Sequence, residues 1–186
     1  MKKSFFFIVI VSFLLSSSIS AQKRKVRFQS VNQFAIVGGE SHVNTAFQTV
    51  NGIKLNNWFS GIGIGIDNYR YKTLPLFADN RLFFGQEKKG FLYADIGYNF
   101  PLKNKPGKEI SYYTNYHFTG GIYTEFGIGF KTKFIKNSSI LFSLGHSYKE
   151  LQSRIGVVPL CVGCDAYWYN YKLSYGRVLL KTGVEF

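Results

Sequence analysis

Between Trp58 and Phe100 apolar and polar residues alternate so strictly that only extended strands satisfy the pattern. Three segments carry it: WFSGIGIGIDNY, LPLFADNRLFF and GFLYADIGYNF, the last two separated by the polar turn GQEKKG. A period of two places alternate side chains on opposite faces of a strand, whereas a helix would scatter them around its circumference. In the first segment Ile62, Ile64 and Ile66 fall on one face, and Gly61, Gly63, Gly65 and Asp67 on the other. The second sets Leu76, Ala78, Leu82 and Phe84 against Phe77, Asp79, Arg81 and Phe83, with Asn80 on the apolar side. The third sets Leu92, Ala94, Ile96, Tyr98 and Phe100 against Tyr93, Asp95, Gly97 and Asn99.

The same reading extends over the rest of the chain and gives eight strands. They are expected at 31–38, 42–55 (interrupted at Asn51-Gly52), 58–69, 74–84, 91–100, 118–135, 140–151 and 167–186. Asn56-Asn57 and the run Lys136 to Ser139 mark turns, and polar stretches around Pro106-Gly107 and before Ala166 mark longer loops. Connections after the second, fourth and sixth strands read as tight, and those after the third, fifth and seventh as longer, although the one after the first reads as short. An even-stranded barrel with both termini on one side has that asymmetry. With 18% aromatic residues, 19 Gly and only 4 Pro, the 186-residue chain suits strands and supplies one domain.

The opening residues carry an export signal. Lys2 and Lys3 precede an apolar run from Phe5 to Leu15, followed by Ser16, Ser17, Ser18, Ser20 and Ala21 as a cleavage region. The run is short for a membrane-spanning helix, which needs about 20 residues, and no later stretch reaches that length. The expected organisation is therefore a signal peptide at 1–21, a basic tail at 22–30 and a barrel at 31–186. The formal charge of +13 directs attention to anionic partners. Export argues against nucleic acid and leaves anionic lipid and lipopolysaccharide.

Charge also orients the barrel. On the glycine-bearing face stand Asp67, Asp79, Asp95 and Glu125, matched in number by Arg81, Lys131, Arg177 and Lys181. Such a balance in a strongly basic chain points to mutual pairing in a narrow lumen, where an unpaired charge is costly. The opposite faces of the sixth and eighth strands carry Ile122, Phe126, Ile128 and Phe130, and Val178, Leu180, Val184 and Phe186. Aromatic residues near strand ends (Trp58, Phe59, Tyr69, Tyr98, Phe100, Tyr167, Trp168 and Tyr169) fit interfacial girdles. The fold expected is an all-β, eight-stranded antiparallel up-and-down transmembrane β-barrel. An inverted soluble barrel, apolar inside, has the same periodicity.

With the signal peptide, the eight strands, PLFADNRLFF, FLYADIGYNF and terminal Phe186, the sequence resembles the small eight-stranded outer-membrane β-barrel proteins of double-membraned bacteria. The resemblance spans Val31 to Phe186. It implies residence in the outer membrane, contact with its lipid, and recognition of Val184 and Phe186 by the barrel-assembly machinery. Lys181 stands where such last strands usually carry Gly.

No side-chain constellation announces catalysis, and no cofactor is expected. Cys161 and Cys164, in CVGC, lie in the last long loop, where a local disulfide is the default in an oxidising compartment. Zinc would need about four ligands, and no His is near. His146 and Ser147 are adjacent, so on a strand they point to opposite faces and make a poor base–nucleophile pair. His42 and His117 flank turns. Lys103, Lys105 and Lys108 offer a loop contact with lipopolysaccharide phosphates. The expectation is a non-enzymatic barrel with an ion-pair-filled lumen and an envelope-structural or surface-interaction role. A lipid-modifying enzyme and a soluble ligand-binding barrel are the alternatives.

Overall fold

The computed structural model describes residues 26–39, 43–68, 71–102, 114–135, 137–157 and 167–186. The signal segment, Cys161, Cys164, His42, Tyr69 and the three loop lysines lie outside them. Nine antiparallel strands follow in chain order: β1 (Val26–Gly38), β2 (Val43–Leu55), β3 (Trp58–Asn68), β4 (Lys72–Phe84), β5 (Gly90–Pro101), β6 (Thr114–Thr119), β7 (Gly121–Ile135), β8 (Ser138–Val157) and β9 (Tyr167–Glu185). Each pairs with its chain neighbour, except that β5 pairs with β7, and β6 pairs with the outer part of β8. Pairing of β1 with β9, from Val31 opposite Glu185 to Gly38 opposite Val178, closes the ring. Closure leaves the ladder no open edge within the ring, where unpaired backbone amides would need water.

β6 and β7 together form one stave of an eight-stave barrel. Thr119 pairs with Gln152 and Tyr123 with Lys149, so the β6–β7 side holds one residue more than β8. That extra residue makes a bulge beside Gly120, which divides the sixth expected strand. Above it β6, β8 and β9 continue as a three-stranded extension of the outer rim, reaching the pair Val157–Tyr167.

Several expectations need correction. The first strand begins at Val26, not Val31: Val26 to Ser30 pair with Leu55 to Asn51, so most of the expected basic tail is barrel wall. Asn51-Gly52 does not interrupt β2, because both residues are laddered to β1 and β3. Gly52 is held there by close backbone approach, since a Cβ would overlap Ser60 and Gly61. The loop asymmetry is partial. The β3–β4 connection at 69–71 is no longer than the β4–β5 connection at 85–89, which contains a 3-10 turn at Gln86–Lys88.

The two faces separate as the alternation requires. Ile62 is 69% exposed, Ile96 63%, Phe126 59% and Leu180 59%, while Asp79 and Arg81 across the wall are at most 1% exposed. Burying one large aliphatic or aromatic side chain is worth about 1.5–3 kcal/mol, so a continuous outer belt of them demands an apolar surrounding. The inverted barrel is thus not what this chain builds. Asn80 finds a partner on the outer face, accepting a hydrogen bond from Ser60 Oγ at 2.9 Å. Trp58, Tyr98, Phe100, Tyr167, Trp168 and Tyr169 are exposed, but Phe59 is fully buried inside and leaves the expected girdle.

Candidate functional site

The lumen is filled by polar side chains sorted into tiers along the barrel axis, with aromatic rings between them. Near the outer rim, Lys149 Nζ donates to Asp67 Oδ1 at 2.6 Å and to Thr73 Oγ1 at 2.8 Å, and Thr73 donates to Asp67. At mid-height, Arg81 donates through Nε to Asp79 Oδ1 at 2.9 Å and through Nη2 to Asp79 Oδ2 at 2.6 Å. The same Nη2 reaches Gln33 Oε1 at 3.1 Å. The Arg81 guanidinium lies between the rings of Phe59 and Phe91, 5.6 and 5.7 Å from their centroids. Guanidinium stacks well on aromatic faces, so this packing fills the bore without leaving the charge bare.

Beside it, Lys181 pairs with Glu125 and sits 4.0 Å from the centre of the Tyr93 ring. Tyr123 OH donates to Glu125 Oε2 at 2.6 Å, and Gln48 Nε2 donates to the same oxygen at 3.2 Å. At the end where the strands begin and finish, Lys131 Nζ lies 2.7 Å from Glu185 Oε1 and Lys54 Nζ 4.0 Å from it. The Phe83 ring flanks both ammonium groups, at 4.8 and 3.8 Å. Glycine makes room for these rings: a Cβ on Gly63 would overlap Phe77, on Gly129 Phe91, and on Gly145 the Tyr93 hydroxyl.

The expected network is reassembled rather than simply reproduced. Asp79 and Arg81 meet each other, as do Glu125 and Lys181. Asp67 and Lys131 take partners outside the expected set, Lys149 and Glu185. Lys149 follows from the strand alternation, since Ser147, Lys149 and Leu151 share the inward face of β8. Glu185 was hidden by its place at the chain end. Gln33 and Gln48 carry no charge to mark them. Asp95 stands in register with Asp79 and Glu125 but has no hydrogen-bond partner on either oxygen among the described residues. Arg177 is half-buried near the outer rim, beside Gly39.

The adjacent pair on β8 is divided between the two faces. Ser147 is buried in the lumen, whereas His146 lies on the outer face with its ring 5.6 Å from Phe126. His117 is exposed on β6. No group of three or more potential metal-ligating side chains occurs among the described residues. Two cavities stand out, one at a mouth and one on the extension. One of about 750 Å³ lies at the end with the strand termini, lined by Arg27, Lys54, Lys131 and Glu185 among others. One of about 300 Å³ lies on the rim extension, against Arg154, Tyr171 and Lys172.

No protein-family model matches the sequence, and no curated protein matches it either. Among solved structures, the solid-state NMR structure of outer membrane protein AlkL in DMPC lipid bilayers superposes with a TM-score of 0.51 at 8% identity. The superposition covers 91% of this chain and 93% of AlkL. At that identity the likeness is one of fold: this chain is an all-β antiparallel barrel, similar in fold to that outer membrane protein.

Proposed function

We propose that the chain is an integral outer-membrane protein whose lumen is closed by its own ion pairs. Its role is non-enzymatic, either structural in the envelope or in surface interaction through the outer loops and rim. The observation that carries this is the combination of a continuous apolar exterior with the interior stack Lys149–Asp67, Arg81–Asp79, Lys181–Glu125 and Lys131–Glu185. An eight-stranded barrel is just wide enough for side chains to fill. Charges neutralised in pairs and braced by rings leave little room for an aqueous path.

In this reading the lipid partner is the outer-membrane bilayer, including lipopolysaccharide at the outer leaflet. The assembly partner is the barrel-assembly machinery, engaging Val184 and Phe186. The AlkL likeness supports the location through the fold. Planar-bilayer recording on the purified barrel tests the closure. Absence of a steady open conductance is expected, and a large steady conductance contradicts the closed lumen.

A further inference from the structure

The mouth with the strand termini carries a charge excess that the lumen pairs do not use. Its cavity of about 750 Å³ is lined by Arg27, Lys54, Lys88, Lys89, Lys131 and Lys133, but by only two acidic side chains, Glu87 and Glu185. Arg27, Lys54, Lys131 and Lys133 occupy positions of lumen-facing parity on β1, β2 and β7, with Lys54 and Lys131 forming the last tier around Glu185. Lys88 and Lys89 arrive from the turn after β4. The acidic residues are already engaged: Glu185 with Lys131 and Lys54, and Glu87 with Lys89 at 2.9 Å. The neighbouring Lys89 ammonium holds the Glu87 carboxyl below the usual carboxylate range. Arg27, Lys88 and Lys133 have no ion-pair partner among the described residues.

The turn is also held in an unfavourable backbone. Glu87 and Lys88 both have φ of 56°, left-handed for residues that bear a Cβ. Such a conformation is unfavourable for a residue with a Cβ, and it is the one in which Lys88 and Lys89 line the cavity. Uncompensated cations lining one cavity repel one another, over a screening length of about 8–10 Å. A bound anion would relieve that repulsion.

We propose that this vestibule binds a compact anion with two or more phosphate-type charges, drawn from the aqueous compartment on that side of the membrane. Ammonium groups and one guanidinium fork supply the charge-assisted donors that phosphate oxygens accept. A soluble anion fits better than a bilayer headgroup, because the strand-borne cations Arg27, Lys54, Lys131 and Lys133 take lumen-facing positions whereas lipid surrounds the outer face. The inference needs a folded barrel but not a closed one.

The test is calorimetric titration of pyrophosphate into the barrel refolded in neutral detergent, at constant ionic strength, with wild type and the Lys88→Gln/Lys133→Gln variant. Neither lysine belongs to an ion pair among the described residues, and a heat-dependent gel shift of the same samples reports folding separately. Saturable binding that weakens at least about tenfold in the double variant is expected, the loss of one or two charge-assisted hydrogen bonds. No saturable binding, or equal binding by both proteins, overturns the proposal. Should the double variant lose its gel shift, Arg27→Gln takes its place with the same expectation. Phosphatidylglycerol vesicles that retain wild type over variant, without pyrophosphate binding, assign the site to a lipid headgroup and overturn the soluble source.

Discussion

Lys149 Nζ lies 2.6 Å from Asp67 Oδ1, joining β8 to β3 inside the lumen with both side chains withdrawn from solvent. A pair of this kind is expensive to break from one side, because the remaining charge stays buried and alone. Lys149→Ala is expected to destabilise the barrel by about 3–5 kcal/mol. Lys149→Met combined with Asp67→Leu is expected to recover most of that loss. Urea unfolding in detergent micelles, followed by tryptophan fluorescence, measures both.

Asp95 gives the opposite expectation. It is buried among Asp79 and Glu125 in neighbouring register, yet among the described residues neither of its oxygens has a hydrogen-bond partner. Asp95→Asn breaks no hydrogen bond among the described residues and takes a carboxyl out of a crowded acidic group, so the unfolding midpoint should hold or rise. Asp79→Asn abandons Arg81 and should cost about 3–5 kcal/mol in the same assay. A larger loss for Asp95→Asn than for Asp79→Asn would show that the lumen pairs are differently arranged.

Glycine on the inward face is a packing residue. Gly129→Val would drive a side chain into the Phe91 ring, and overpacking of this sort costs about 1–3 kcal/mol. Phe91→Leu in the same chain should restore part of the stability by vacating the space. If the pair of changes merely adds, the two residues are not in contact.

The outer face tests the surroundings of the barrel. Ile96→Lys places a charge in the middle of the apolar belt, at a position 63% exposed. In a bilayer the cost at mid-depth is about 2–4 kcal/mol, whereas on a surface bathed in water it would be near zero. Refolding into phosphatidylcholine vesicles, with the folded fraction measured against urea, reads this directly.

Much of this arrangement was legible in the chain, because two-residue alternation fixes which face each side chain takes. Ile62, Ile64 and Ile66 fell on one face and Asp79, Arg81, Asp95 and Glu125 on the other on that basis, and the charge balance with the aromatic strand ends turned the first face outward. Pairing across the lumen was less legible. Asp67 finds Lys149 rather than a member of the balanced set, because shear and tier height decide which inward residues meet, and alternation carries no information about height. The Asn-Gly of β2 reads as a turn locally but is overridden by ladders on both sides. Val26 to Ser30 read as tail because Arg27 and Gln29 are polar, although they stand at inward positions near the basic mouth. The bulge at Gly120 had no signal beyond the Gly120-Gly121 pair itself.

The most direct measurement is fractionation of cells expressing the full chain, with the outer-membrane fraction run on gels boiled and unboiled. The protein should sediment with the outer membrane and migrate faster before boiling than after, as a closed ladder resists detergent until heated. A protein recovered in the soluble periplasmic fraction, with identical mobility in both lanes, would contradict the account.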